Sequence, residues 1–332
     1  MSNFNEKYKN IIYDFVNKNE NNIKNYSINY IKEFLQNLPD DLKNNYNFFL
    51  DILQNDGTYL RYASDDLKNN YNIVLIAVKN NGISLYYASD NLKNNYDIVL
   101  TALLNNKSYF NILSNASVNL KNNYNIVLAA VKNNGGGLYY ASNKLKNNYN
   151  IVLAAVKNNG GDLFYASNIL KNNYNIVLAA VKNNGLALEY ASNDLKNTYN
   201  IVLAAVQNCG IALMFTSDNL KNNYNIVLTA VKNNGLTLEY ASNILRNNYN
   251  IAFNAILNNY YAVLFLSSNL IKNRKLILNV NNSNKNSSYY HEKKIEKTNK
   301  YIMDYKFEIK KKLILYIDEY LLSSINTIFK YF

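Results

Sequence analysis

The chain has 332 residues, with 35 Lys/Arg against 23 Asp/Glu for a net charge of +12, one Cys (Cys209), one His (His291), one Pro and no Trp. A single thiol cannot close an internal disulfide, and one histidine in a polar stretch leaves neither a His/Cys metal cluster nor a His-based catalytic triad. No apolar run approaches the roughly 18 residues of a membrane span, and the polar opening MSNFNEKYKN has no signal-peptide core, so an intracellular, cytoplasmic location is expected.

In chain order, Phe4, Tyr8, Ile11, Ile12 and Phe15 fall at helical spacing and predict an amphipathic helix; Ile28, Ile31, Leu35 and Leu38 predict a second. The phrase FLQNLPDDL, Phe34 to Leu42, aligns with the later ALEYASNDL. Residues 1–41 therefore read as an N-terminal helical cap ending in half a repeat.

From there a string close to LKNNYNIVLAAVKNNGLALEYASND recurs, its first Leu at Leu42, Leu67, Leu92, Leu120, Leu145, Leu170, Leu195, Leu220 and Leu245. Every step is 25 residues except Leu92 to Leu120, which is 28, and a degenerate tenth copy starts at Leu270. Counting that Leu as column 0, Asn at column 3 is a good N-cap and Gly at column 15 the expected left-handed C′ residue, so columns 4–14 predict a helix, A. Apolar columns 4, 6, 7, 8, 10 and 11 cover most of its circumference and leave one narrow wet stripe of Asn (column 5) and Lys (column 12). Columns 16–22 predict a second helix of two turns, B, with columns 18, 20 and 21 inward and column 19 outward. Ser at column 22 then caps a single turn that carries the next Leu. Helices this short are marginal alone, so each repeat must stack on its neighbours. The expected fold is all-α: an α-solenoid over residues 42–280. The alternative is a β-solenoid with IVLAAV as a buried strand, but helix caps bracket that run and the LxxLxLxxN pattern is missing.

Residues 281–300 (NNSNKNSSYYHEKKIEKTNK) are polar, without periodicity, and read as a linker. Ile302, Ile309, Leu313, Tyr316, Ile317, Tyr320, Leu321, Ile325, Ile328 and Phe332 share one side of an amphipathic helix over residues 301–332. It is expected to cap the last repeat; a partner or dimer helix, and a membrane-surface helix with Lys310, Lys311 and Lys312 as its basic element, are the alternatives.

The repeats resemble the family catalogued as domain of unknown function 4116, whose pattern is an IVLAAV-type helix, a K-x-N/D-G stop, then L-x-x-A-S and a short L-K/R-x-D/N link. The resemblance runs from about Leu42 to Ser268 and departs from the pattern at Lys107 and Tyr260 in the Gly column and at three extra residues between Lys107 and Leu120. It implies helical repeats and carries no established activity, catalytic residue or cofactor.

Charge is uneven: residues 1–41 hold 5 Lys/Arg and 6 Asp/Glu, residues 42–269 hold 17 and 11, and residues 270–332 hold 13 and 6. Two lysine columns recur. Column 1 gives Lys43, Lys68, Lys93, Lys121, Lys146, Lys171, Lys196, Lys221 and Arg246; column 12 gives Lys79, Lys132, Lys157, Lys182 and Lys232. Stacked helices lie about 8–10 Å apart, so such a rail suits a phosphate backbone or an acidic partner, while repeated Lys also simply keeps an array soluble. Column 19 varies within a near-constant frame: Arg61, Tyr86, Tyr139, Phe164, Glu189, Met214, Glu239 and Leu264. A variable, outward, partly aromatic column is how a solenoid presents a specific surface; drift at an unconstrained site is the competing explanation. Carboxylates are few, with no converging pair, Cys209 has no His in the repeats to activate it, and no GxxxxGK[ST] occurs. The expectation is a non-enzymatic, monomeric scaffold without cofactor or metal. It would bind a protein of acidic character first, nucleic acid second and a membrane surface last.

Overall fold

The computed structural model describes residues 28–105, 112–133, 137–271, 273 and 276. The helix expected over residues 4–15, Lys107, Gly135 and Gly136, the linker over 281–300, the C-terminal helix over 301–332 and most of the tenth repeat lie outside the described residues. The described residues fall into two compact bodies, those up to 158 with 165–167, and 159–164 with those from 168 on. Each is taken by itself.

Each of the nine repeats from Leu42 to Leu245 contributes an A helix among the described residues. In the first body these are Tyr46–Asn55, Tyr71–Asn80, Tyr96–Leu104, Tyr124–Asn133 and Tyr149–Asn158; in the second they are Tyr174–Asn183, Tyr199–Asn208, Tyr224–Asn233 and Tyr249–Asn258. The column-3 Asn caps the start as its spacing dictates, Asn70 Oδ1 accepting from Ile73 N at 3.2 Å and Asn173 Oδ1 from Ile176 N at 3.1 Å, whereas Thr198 in that column makes no side-chain cap hydrogen bond. Columns 6, 7, 10 and 11, such as Ile176, Val177, Ala180 and Val181, are completely buried. Each Ile or Val there contributes on the order of 1.5–3 kcal/mol of burial. Within each body consecutive A helices pack side by side and lean on the B segments of their own and the neighbouring repeat. The result is an all-α solenoid with a 25-residue period.

Three expectations change. The A helix stops at column 13, because the column-14 Asn turns extended (Asn81, φ −148°, ψ 113°) and caps the next segment as well. The following Gly therefore needs no left-handed backbone. It is required instead by closeness: a Cβ on Gly185 would sit 2.4 Å from the carbonyl oxygen of Ala205 in the next A helix, and one on Gly235 2.2 Å from that of Ala255. The ninth repeat, with Tyr260 in that column, still forms both helices.

Segment B is a six-residue 3₁₀ helix over columns 15–20 in most repeats, as in Gly82–Tyr87 and Gly185–Tyr190, and a single α-turn in Gly137–Tyr140. Residues three apart eclipse in a 3₁₀ helix. Columns 15 and 18 (Gly185, Leu188) thus line up on one buried face and columns 16 and 19 point away, while column 21 (Ala191) is buried in the extended residue that follows.

Finally, the column-4 tyrosines are not inside. Tyr46, Tyr71, Tyr96, Tyr124 and Tyr149 in the first body, and Tyr174, Tyr199, Tyr224 and Tyr249 in the second, are 36–40% exposed. Columns 4, 8 and 12 share one stripe by their spacing of four, and the lysines at column 12 hold that stripe toward water.

Candidate interaction surface

The turn after each B segment fixes the surface around column 19. Ser at column 22 accepts from the following Leu N–H, as Ser142 Oγ does from Leu145 N at 3.3 Å. Its hydroxyl also donates to the column-2 Asn at the start of the same repeat, which closes the link turn before: Ser89 to Asn69 Oδ1 at 2.6 Å, Ser142 to Asn122 Oδ1 at 2.6 Å, Ser192 to Asn172 Oδ1 at 2.5 Å. The Ser backbone N–H meets the column-1 Lys carbonyl in the same way, Ser142 N to Lys121 O at 3.0 Å. Successive turns are therefore stitched edge to edge, carrying their lysines in register.

A second stitch joins the A helices. The column-13 Asn donates to the column-12 carbonyl of the preceding repeat and accepts from its Gly N–H. Asn208 bonds Lys182 O at 3.0 Å and Gly185 N at 2.7 Å, Asn233 bonds Gln207 O at 3.1 Å and Gly210 N at 2.8 Å, and Asn258 bonds Lys232 O at 2.9 Å and Gly235 N at 2.7 Å. The Asn-rich composition thus has a structural use in four columns: 2 between successive link turns, 13 between repeats, 3 and 14 as caps. Spacing shows the caps at columns 3 and 22 but gives columns 2 and 13 no partner, because those partners lie 20 to 26 residues away along the chain.

On this frame column 19 points outward in most repeats. In the first body Arg61 is exposed, and the rings of Tyr86 and Tyr139 are 54% and 42% exposed. In the second, Phe164 is 53% exposed and Glu189 exposed, Met214 and Glu239 are half-buried, and Leu264 turns inward at 6%. The exposed rings are held in place. Tyr139 stands edge-on to Tyr140 and Tyr165 with centroids 4.6 and 5.1 Å away, Tyr86 edge-on to Tyr87 at 5.1 Å, and Phe164 edge-on to Tyr190 at 5.1 Å.

A column-1 lysine lies over each of these rings: Lys93 at 5.9 Å from Tyr86, Lys146 at 5.8 Å from Tyr139 and Lys171 at 5.4 Å from Phe164. Arg61 reaches back to the rings of Tyr62 at 5.0 Å and Tyr87 at 6.0 Å. Where Ser114 takes the place of an aromatic, Lys121 Nζ instead donates to its carbonyl oxygen at 2.7 Å. Burial lowers the ammonium pKa of Lys121, Lys146 and Lys171. Spacing alone gave no sign that column 1 and column 19 meet; the link turn brings them together.

The other lysine column does not join them. Lys79, Lys132 and Lys157 in the first body, and Lys182 and Lys232 in the second, are exposed in the last turn of the A helices. That is the face of the column-4 tyrosines, whereas column 19 lies on the B segments. Cys209 is half-buried in an Asn column and makes no capping hydrogen bond through its side chain. Among the described residues no group of three or more His, Cys, Asp or Glu side chains is placed to hold a metal, and no helix is long and apolar enough to cross a membrane.

The family described as domain of unknown function (DUF4116) matches residues 45–93, 70–121, 107–146, 123–170, 148–196 and 198–246, well over half of the chain. No curated protein and no solved structure matches it. The chain belongs to the DUF4116 family.

Proposed function

From a member of a repeat family with no assigned activity, we propose a non-enzymatic scaffold that binds another protein along the column-19 face of its B segments. The observation that carries this reading is that large rings, Tyr86 and Tyr139 in the first body and Phe164 in the second, are left about half exposed yet each is fixed by a neighbouring ring and a lysine. Ordered, amphipathic aromatic groups lose little side-chain entropy on binding and are favoured anchors in interface centres. The variable members, Arg61, Glu189, Met214 and Glu239, would set which partner is accepted. The test is capture from source-cell lysate with the full chain, at physiological salt and after nuclease treatment. A discrete protein retained by wild type and lost by Tyr139→Ala, with helicity unchanged, supports the reading; retention by the variant overturns it.

The second reading is electrostatic binding of a nucleic-acid backbone. Its support is that the column-12 lysines and the exposed column-4 tyrosines share one face, a pairing suited to phosphate contact with base stacking. It expects recovery dominated by nucleic acid, falling steeply with salt and indifferent to Tyr139→Ala.

A further inference from the structure

The link turns repeat one geometry with two different charge patterns. In the first three, an Asp at column 23 sits three residues before the column-1 lysine and neutralises it: Asp40 with Lys43 at 3.2 Å, Asp65 with Lys68 at 3.6 Å and Asp90 with Lys93 at 3.9 Å. In the next two turns of the same body, Val118–Lys121 and Asn143–Lys146, that position is Val118 and Asn143. Among the described residues the ammonium of Lys121 donates to the Ser114 carbonyl and that of Lys146 lies over the face of the Tyr139 ring, neither beside a carboxylate. The absence of acid is regional, since residues 98–158 contain six lysines and not one Asp or Glu.

These two cations are partly withdrawn from water and have no counter-charge among the described residues. Their lowered pKa values reflect that burial. Two neighbouring cations with no carboxylate beside them leave a positive potential on this edge, which an acidic partner complements. Beside them lie apolar groups: Val118 is 81% exposed, and the Tyr139 ring is open on the same edge. The two turns are stitched together through Ser142, Asn122 and the Lys121 carbonyl, so the groups are held in register, with Lys144 exposed next to Lys146.

We propose that Lys121, Lys144, Lys146, Tyr139 and Val118 form a docking site for an acidic, amphipathic segment of a partner protein, in which carboxylates alternate with apolar side chains. The proposal rests on the reading that column 19 binds protein, and it adds the chemistry of the partner and the place where it docks. Charge complementarity selects an acidic occupant. The apolar groups between the lysines favour a peptide over a phosphate polymer, which is read best by arginine, and no arginine is present here.

The test is a fluorescence-anisotropy titration of the full chain with a fluorescein-labelled peptide of repeated Glu-Glu-Leu, beside fluorescein-labelled oligothymidylate. Wild type binds the peptide more tightly than the oligonucleotide. Lys121→Gln with Lys146→Gln weakens peptide binding roughly tenfold or more, the scale of losing two partly desolvated charge pairs. Lys43→Gln with Lys68→Gln, which touches only neutralised turns, leaves it unchanged, and thermal melts show that both variants fold. Equal losses in the two double variants, tighter binding of oligothymidylate, or no binding of the peptide overturns the proposal. Should Tyr139-dependent capture of a lysate protein persist while the peptide fails to bind, only the acidic partner is refuted and the protein-binding reading stands.

Discussion

Asn208 shows what one side chain does in this architecture. Its amide spans two chain segments, giving a hydrogen to Lys182 O and receiving one from Gly185 N–H in the repeat before. Asn208→Ala removes both bonds and leaves a tightly enclosed Gly N–H unpaired, a loss of about 2 kcal/mol. Urea unfolding checks this as a lower midpoint at unchanged slope. Tyr240 behaves differently, through its proton. Burial, with Glu239 beside it, raises the phenol above its ordinary 10.0. The fold keeps a proton that the unfolded chain gives up, so this contribution is intact below pH 10.0 and is lost as pH rises through the higher folded value. Melting curves at alkaline pH are expected to fall less steeply for Tyr240→Phe than for wild type.

At the scale of elements, the A helix was legible because its signals are local: an Asn cap, a run of β-branched and Ala residues, and an abrupt polar stop. Its wet face was misjudged. Tyr at column 4 looks apolar in a pattern, yet its hydroxyl and its place in the stripe of the column-12 lysines turn it to solvent. The B segment, expected as an α-helix over columns 16–22, is a 3₁₀ helix over columns 15–20, and columns 21 and 22 are extended. Over three residues, turns of 100° and 120° diverge little, so column 19 points outward under either geometry. The residue that separates the two is the glycine. As a C′ residue it would be needed for a left-handed backbone, whereas here it is needed because Ala205 O lies where its Cβ would be. Gly185→Ala is therefore expected to destabilise by about 2 kcal/mol or more through overpacking against backbone. Gly161→Ala, whose Cβ would meet only Asn159 Oδ1 at 3.3 Å, is expected to cost under about 1 kcal/mol. Paired urea titrations decide between the two roles, because a conformational requirement at the start of these segments would not single out Gly185.

The molecule as a whole is governed by its period. Column 13 finds its partners in the neighbouring repeat, while column 2 meets the Ser that opens the next link turn, 20 residues on. Register therefore matters more than length. Removing residues 195–219, one complete period, brings Asn233 to the position from which Asn208 served Gly185. That chain is expected to retain helical circular dichroism and cooperative unfolding. Removing residues 195–218 puts Lys232 where Asn208 met Gly185 and breaks the column-13 stitch at that junction, so helicity and cooperativity are expected to fall. The candidate surface was legible as a column and illegible as a site, since the lysines over its rings come from the turn that follows.

The stitch through column 13 also bears on how the chain ages. Asn159-Gly160, Asn184-Gly185 and Asn234-Gly235 are dipeptides in which the glycine nitrogen ordinarily attacks the asparagine side-chain carbonyl carbon, expelling ammonia and closing a succinimide that water opens to aspartate or isoaspartate. In the folded array each of those nitrogens donates its hydrogen at 2.7 Å to an asparagine of the next repeat. The side chains of Asn184 and Asn234, meanwhile, are occupied as caps on Leu186 N and Leu236 N, both at 3.0 Å. Ring closure therefore has to wait for the neighbouring repeat to lift away. Peptide mapping after prolonged incubation is expected to find the three asparagines intact in folded protein and converted in urea, so that each junction keeps a covalent record of having been open.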